Sequence, residues 1–248
     1  MEGIVLRRLR DVFYINAFSG NSEVVYHGMQ LNEFLRHVPV KLNQLLLLEA
    51  EYYGKGIRSR TKFEVVEEQE MEEFLNEDIY SYGNFCWVDF NQRENFEKLE
   101  PLEIADLLYL GHMFEPVRSP FFDRIQNRYA YLAHDDGWYC KLYCRFFRDF
   151  EDVIANKIVS MVSTSKRRRI YPLSSDLKKN LMSLAENGLL IDLSNISKVN
   201  NTIEIPIYCI GKFLNMDDMY NDLKRHISRS KFSARLVHRN KEWVIDYL

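Results

Sequence analysis

Two kinds of hydrophobic pattern run along the chain, and together they predict both strands and helices. Alternating apolar positions rich in β-branched and aromatic residues are typical of strands, whereas apolar residues three and four positions apart are typical of helices. The first pattern predicts strands at Val12–Ala17, Glu23–His27, Thr61–Val66, Phe85–Phe90, Tyr129–His134, Trp138–Phe147, Leu189–Leu193, Ile203–Gly211, Ser233–His238 and Glu242–Tyr247, with a further apolar run at Ile4–Leu9. The second predicts helices at Leu31–His37, Val40–Tyr53, Glu67–Asn76, Pro101–Phe114, Asp149–Thr164, Asp176–Asn187 and Met216–Ser228.

The strongest local signals are a hairpin turn and a pair of helix ends. Asp136 and Gly137 stand between two aromatic runs, and this dipeptide favours the type I′ turn of a β-hairpin. Ser174 or Ser175 can cap the N-terminus of the following helix, and Gly188 can end it in the left-handed conformation.

The predicted helix over Val40–Tyr53 depends on the spacing of a few apolar residues. Pro39 is suited to a helix start, and glycines at 54 and 56 interrupt the pattern after its end. The residues at helical spacing are Leu42, Leu45, Leu46 and Ala50.

The order of these elements predicts the fold class. Strands and helices alternate without a regular βαβ rhythm, and hairpins are frequent, which favours an α+β fold of mixed helices with a mainly antiparallel sheet. A polar, basic connector at Ser165–Arg169 suggests a boundary between an α+β domain over 1–165 and a smaller α+β domain over 170–248. A single domain is the alternative.

Composition narrows the class of protein and its location. The chain has 248 residues, 14% of them aromatic, and no window of it approaches the roughly 18 consecutive apolar residues of a membrane-spanning helix. Its first residues do not resemble a secretory leader, and its cysteines form no CxxC pair, which predicts free thiols in a reducing cytoplasm. The four cysteines are Cys86, Cys140, Cys144 and Cys209.

Charge is segregated along the chain although the net charge is only −3. The segment from Glu64 to Glu115 holds 15 acidic residues against Arg93 and Lys98. Basic residues outnumber acidic ones by ten to four from Lys141 to Lys179, and by seven to one from Asn221 to Lys241. Such segments can steer a charged partner, or they can complement each other within the protein.

Two groups of residues are candidate catalytic sites. His134, Asp135 and Asp136 place an imidazole beside two carboxylates, which suits acid–base chemistry, although turn chemistry alone explains all three. His112 and Glu115 are three positions apart near a helix end, where a histidine is also favoured by the helix dipole. Neither group has the further ligands of a metal site, so we expect no metal and no cofactor.

The run Lys166, Arg167, Arg168 and Arg169 is the candidate partner-binding segment. Four adjacent cations can contact an acidic protein surface or the phosphates of a nucleic acid, or they can form a solvated linker. The chain lacks phosphate-binding loops and nucleophile elbows, which disfavours the enzymes built on them.

These observations predict a non-catalytic intracellular binding protein, such as an adaptor or neutralising protein, that engages a charged protein partner. Two alternatives stay open. One is a hydrolase or transferase with a site assembled around His134 or His112, and the other is nucleic-acid binding through the basic segments after residue 141. A membrane role is not expected.

Overall fold

The computed structural model describes residues 12–52, 59–77, 83–135, 137–163, 170–213 and 215–247. Within them the strands are β1 (Val12–Phe18), β2 (Glu23–His27), β3 (Gln44–Tyr52), β4 (Ser59–Val66), β5 (Phe85–Phe90), β6 (Tyr129–His134), β7 (Tyr139–Cys144), β8 (Leu189–Asp192), β9 (Ser197–Val199), β10 (Thr202–Cys209), β11 (Phe232–Arg239) and β12 (Glu242–Tyr247). The α-helices are α1 (Leu31–His37), α2 (Met71–Phe74), α3 (Pro101–Gly111), α4 (Phe147–Val162), α5 (Ser175–Ala185), α6 (Met216–Asn221) and α7 (Leu223–Ser228). Short 3-10 turns occur at Ser19–Asn21 and Arg93–Lys98.

The fold is α+β with antiparallel strand pairing and many hairpins, as the sequence predicts. The chain divides into two compact units. The described residues of Met1–Gly20, Val24–Pro39 and Phe147–Leu248 form the first, and those of Asn21–Glu23 and Val40–Phe146 form the second. The predicted limits at 165 and 170 fall inside the first unit, and residues 164–169 lie outside the described ranges, so this domain division stays a prediction.

In the first unit the strand order is β12-β11-β10-β8-β1-β2, with β9 beside β10. Helix α5 packs on this sheet and against α4. Ser174 Oγ caps α5 by accepting a hydrogen bond from Leu177 N, and Gly188 ends the helical segment at φ +75°, as predicted. A Cβ atom on Gly188 would lie 1.9 Å from Gly211 O, so only glycine fits there.

In the second unit the strand order is β7-β6-β5-β3-β4, with α3 packed on β3 and β5. One face of this sheet and the buried side of α3 share a core formed by Leu46, Leu48, Cys86, Val88, Phe90, Leu107, Leu110, Phe122, Ile125, Ala130, Leu132 and Tyr143. The start of β6 is fixed by the buried carboxylate of Asp89, which accepts hydrogen bonds from Arg128 N and Tyr129 N. Burial raises the pKa of Asp89 to about 6.

The predicted helix over Val40–Tyr53 is wrong, because this segment contains β3. Strand β3 pairs with β4 on one side and with β5 on the other. Leu45, Leu46, Leu47 and Leu48 are all buried, so both faces of the strand are covered. A strand buried on both faces has a continuous apolar run, and this run cannot be distinguished from a buried helix by periodicity alone.

Two other predicted helices are shorter or interrupted in the structure. The acidic segment Glu67–Asn76 forms only the single-turn helix α2, with Phe74 as its buried residue. The predicted helix over Met216–Ser228 divides into α6 and α7 at Asp222, whose φ of −103° and ψ of 20° are not helical. Polar and acidic residues near the break, such as Asn221 and Asp222, have low helix propensity.

The central hairpin and the thiols agree with the prediction. Strands β6 and β7 pair from Tyr129 with Cys144 to His134 with Tyr139. Cys140 and Cys144 are buried on one face of β7, and the four cysteines are free thiols. Among the described residues, no helix combines the length and the apolar character that crossing a membrane requires.

Candidate functional site

His134 and Asp135 lie at the tip of the β6–β7 hairpin. Asp135 has a left-handed φ of 53°, as does Gly137 at 78°, and Trp138 N donates a hydrogen bond to Asp135 O. The imidazole of His134 stacks on the ring of Tyr139, with the ring centres 4.9 Å apart. Asp136 lies outside the described residues, so a site formed by all three residues stays a prediction.

Lys141 collects several charged and aromatic groups on the face of β7 that also carries Tyr143. Its Nζ lies 2.6 Å from Glu115 Oε1 and 3.3 Å from Glu23 Oε1. It also lies 5.4 Å from the centre of the Tyr143 ring. The side chain of Lys141 is only 15% exposed. We call Lys141, Glu23, Glu115, Tyr143 and the neighbouring His134 the lysine cluster.

The protonation states in the lysine cluster are set by burial and by these contacts. Burial alone lowers the pKa of Lys141, but the hydrogen bond to Glu115, with Tyr143 and Glu23, more than offsets it and raises that pKa. The Lys141 contact holds the pKa of Glu115 below its usual value. Burial, with the charge of Lys141, lowers the pKa of His134 to about 4. At neutral pH the cluster therefore holds an ammonium, a carboxylate and a neutral imidazole.

His112 and Glu115 follow α3 at the place that the sequence predicts. His112 is the C-terminal cap residue, and its backbone N–H donates to Leu108 O. Met113 then takes a left-handed φ of 62°, which turns the chain so that Glu115 reaches Lys141. The structure thus brings Glu115 and His134 to the same lysine, although the sequence placed them in separate candidate sites.

No metal centre is built from the described residues. Across those ranges, no three His, Cys, Asp or Glu side chains are grouped so that they could hold a metal ion. The candidate partner-binding residues Lys166, Arg167, Arg168 and Arg169 lie outside the described ranges, so their role stays a prediction.

A second feature of the same unit is an open pocket between the end of β4 and helix α2. Its volume is about 210 Å³. Four glutamates line it, and all four are exposed in this structure. They are Glu64 on β4 and Glu70, Glu73 and Glu77 in and around α2. We call this pocket, with its lining residues, the acidic groove.

The floor of the acidic groove is apolar. Leu47 of β3, Val66 of β4 and Phe74 of α2 line it, and all three are buried. Val65 completes the lining from β4. The groove therefore combines a carboxylate rim with a hydrophobic floor, which suits a ligand that is cationic and partly apolar.

The rim glutamates differ from the acidic residues just outside the groove. Glu67 and Glu68, which precede α2, form ion pairs with Arg93 and Lys41. Within the part of the chain that the structure describes, Glu70, Glu73 and Glu77 form no ion pair. Glu70 instead uses its carboxylate to accept a hydrogen bond from Glu67 N. The negative charge of Glu70, Glu73 and Glu77 is therefore open to a cationic partner.

The acidic and basic segments of the sequence could neutralise each other within the protein, and the ion pairs of the structure bear on this alternative. In the described ranges, the pair that joins the acidic segment Glu64–Glu115 to the basic segment Lys141–Lys179 is Glu115 with Lys141. Arg118 and Arg124 neutralise other acidic side chains locally, at Asp106, Glu100 and Glu103. In the described ranges, local pairs neutralise much of the acidic segment but do not involve Glu70, Glu73 or Glu77 of the rim.

The sequence indicated the acidic groove only as an acidic segment and did not indicate the lysine cluster. The position of Lys141 did not identify its partners, because Glu23 and Glu115 are distant along the chain. A lysine in an otherwise apolar strand was the available clue. Comparison with protein-family models, with curated proteins and with solved structures finds no match to this chain.

Proposed function

We propose that this protein is a non-catalytic binding protein that holds a basic segment of a protein partner in the acidic groove. The observation that carries the proposal is the exposed carboxylate rim over a buried apolar floor. At about 210 Å³ the groove is smaller than a typical small-molecule pocket, and its size suits one or two side chains of a longer ligand.

The charge of the rim supports a cationic partner. Lysine and arginine side chains combine a charged end with an apolar stem, so the stem can contact Leu47 and Val66 while the charged end reaches Glu73 or Glu77. Complementary charge of this kind speeds association and makes it sensitive to ionic strength.

The lysine cluster supports a binding role more than a catalytic one. An efficient general base has a pKa near the working pH, whereas that of His134 is about 4. The ammonium of Lys141 is held by two carboxylates and stays protonated. His134 is therefore not poised for proton transfer near neutral pH.

The test measures binding of fluorescently labelled peptides by anisotropy at low and high salt. We expect a Lys-rich peptide with interspersed apolar residues to bind, and an acidic peptide of the same length not to bind. The variant Glu73→Gln/Glu77→Gln should weaken binding by about tenfold or more, because it removes two rim charges. Raising the salt from about 0.05 M to about 0.5 M should also weaken it.

The matched control is Glu72→Gln/Glu97→Gln. It removes the same amount of charge from two exposed glutamates that do not line the groove. Equal weakening in both double variants would show that net charge, and not the groove, attracts the peptide. Absence of binding by the basic peptide at low salt would contradict the proposed function altogether.

A further inference from the structure

We propose that the basic segment binds as an added β-strand along the outer edge of β4. The inference rests on the proposed function and specifies how the same groove holds its partner. Strand β4 is the last strand in the order of the second unit. All eight of its residues pair with β3, from Ser59 with Tyr52 to Val66 with Leu45.

The opposite side of β4 is a sheet edge. In the described part of the chain, β4 pairs with no strand other than β3. An edge strand of this length presents a row of backbone N–H and C=O groups that can pair with another extended chain. Binding by strand addition uses such an edge for affinity and side-chain pockets for specificity.

The acidic groove lies at this edge. Its lining includes three consecutive residues of β4, Glu64, Val65 and Val66, together with α2. A peptide that pairs with the end of β4 therefore passes the rim glutamates and the apolar floor. Backbone pairing and side-chain recognition would occur at one place.

Charge decides which extended chain fits. The exposed glutamates of the rim favour a cationic chain over an acidic one, because like charges facing each other are unfavourable. A segment with lysine or arginine at alternate positions therefore fits. Residues two apart on a strand lie about 6.6 Å apart and point to the same face, so alternate lysine or arginine side chains share one side of the added strand.

The experiment compares a peptide of alternating lysine and valine with two analogues of the same sequence. Each analogue carries N-methyl groups on one of the two alternating sets of backbone nitrogens. In a strand that is added at a sheet edge, only one of these two sets of backbone N–H groups donates hydrogen bonds to the neighbouring strand. We expect one analogue to bind at least tenfold more weakly and the other to bind within about threefold of the parent peptide.

Hydrogen exchange of the protein gives a second readout. On peptide binding, alternate amides of β4 between Phe63 and Val66 should exchange at least tenfold more slowly. Strand β12, at the end of the strand order of the first unit, is the matched edge and should be unchanged. Unchanged exchange along β4 would overturn strand addition.

The outcomes separate the two proposals. If both analogues bind like the parent peptide, or both weaken equally, strand addition is wrong while the acidic groove can still be the binding site. If the parent peptide itself does not bind at low salt, the proposed function fails first. Weakening by one analogue only, with slowed exchange in β4, supports the added strand.

Discussion

The lysine cluster and the acidic groove lie in the same unit and contain the same side chain in two different situations. In the lysine cluster, Glu23 and Glu115 meet a largely buried ammonium at 3.3 and 2.6 Å. In the groove, Glu73 and Glu77 are exposed and have no ion-pair partner in the described ranges. A glutamate of the first kind contributes to stability, whereas one of the second kind is available to a ligand. The number of acidic residues in a segment does not reveal this difference.

The largest change in stability should follow from removal of the Lys141 charge in the lysine cluster. Lys141→Met keeps the apolar stem but removes the charge that Glu23 faces, and the Glu23 side chain is only 14% exposed. Because a partly buried carboxylate then loses its cation, we expect the free energy of unfolding to fall by about 2 kcal/mol. Urea denaturation followed by circular dichroism measures this change.

The control for that experiment is Glu115→Gln. The Glu115 side chain is 78% exposed, so loss of its ion pair should lower the free energy of unfolding by less than about 1 kcal/mol. Adding Glu23→Gln to Lys141→Met should recover part of the loss. Wild-type stability in Lys141→Met would mean that the cluster has no structural role.

A second prediction concerns pH. The pKa of His134 is about 4 in the folded protein, below its ordinary value of 6.5. The unfolded chain therefore binds more protons between these values, so the contribution of His134 to stability is present above pH 6.5 and is lost as the pH falls through about 4.

NMR titration of His134 tests the part that Lys141 plays in this effect. In Lys141→Met we expect the pKa of His134 to rise but to stay below 6.5, because burial is the larger cause. His134→Phe should abolish this contribution to the pH dependence of stability. An unchanged pKa in Lys141→Met would contradict the influence of Lys141 on His134.

The smallest change in the free energy of unfolding is expected for a substitution in the acidic groove. This change is an increase, whereas the substitutions in the lysine cluster lower the free energy of unfolding. Glu77 lines the groove together with three other exposed glutamates, and like charges at one site repel each other. Glu77→Gln should raise the free energy of unfolding by about 0.3 kcal/mol at low salt, and added salt should shrink the gain. A loss as large as that in Glu115→Gln would place Glu77 among the stabilising glutamates.

Much of the fold could be predicted because the signals are local. The β6–β7 hairpin follows from Asp136 and Gly137 between aromatic runs, and α5 follows from Ser174 and Gly188 at its two ends. The helix prediction at Val40–Tyr53 failed because the decisive information is the pair of neighbouring strands, β4 and β5, that cover β3.

For the candidate sites, too, the local features could be predicted from the sequence and the contacts between distant segments could not. From the sequence, His134 could be placed at the end of a strand, Asp135 beside a turn and His112 at a helix end. Their relation to Lys141 could not, because Glu23 and Glu115 are separated from it by long stretches of chain. The acidic character of Glu64–Glu115 was visible, but which glutamates stay exposed and without an ion pair was not.

The sequence by itself determined the α+β class, the positions of most strands, the presence of the central hairpin and the ends of α5. These depend on backbone preferences that act over a few residues. Only the tertiary structure decided that β3 is a strand, that Lys141 neutralises Glu23 and Glu115, and that four glutamates surround an apolar floor beside the edge of β4. These features depend on burial and on charges that folding brings together from distant segments, and no local pattern records that proximity.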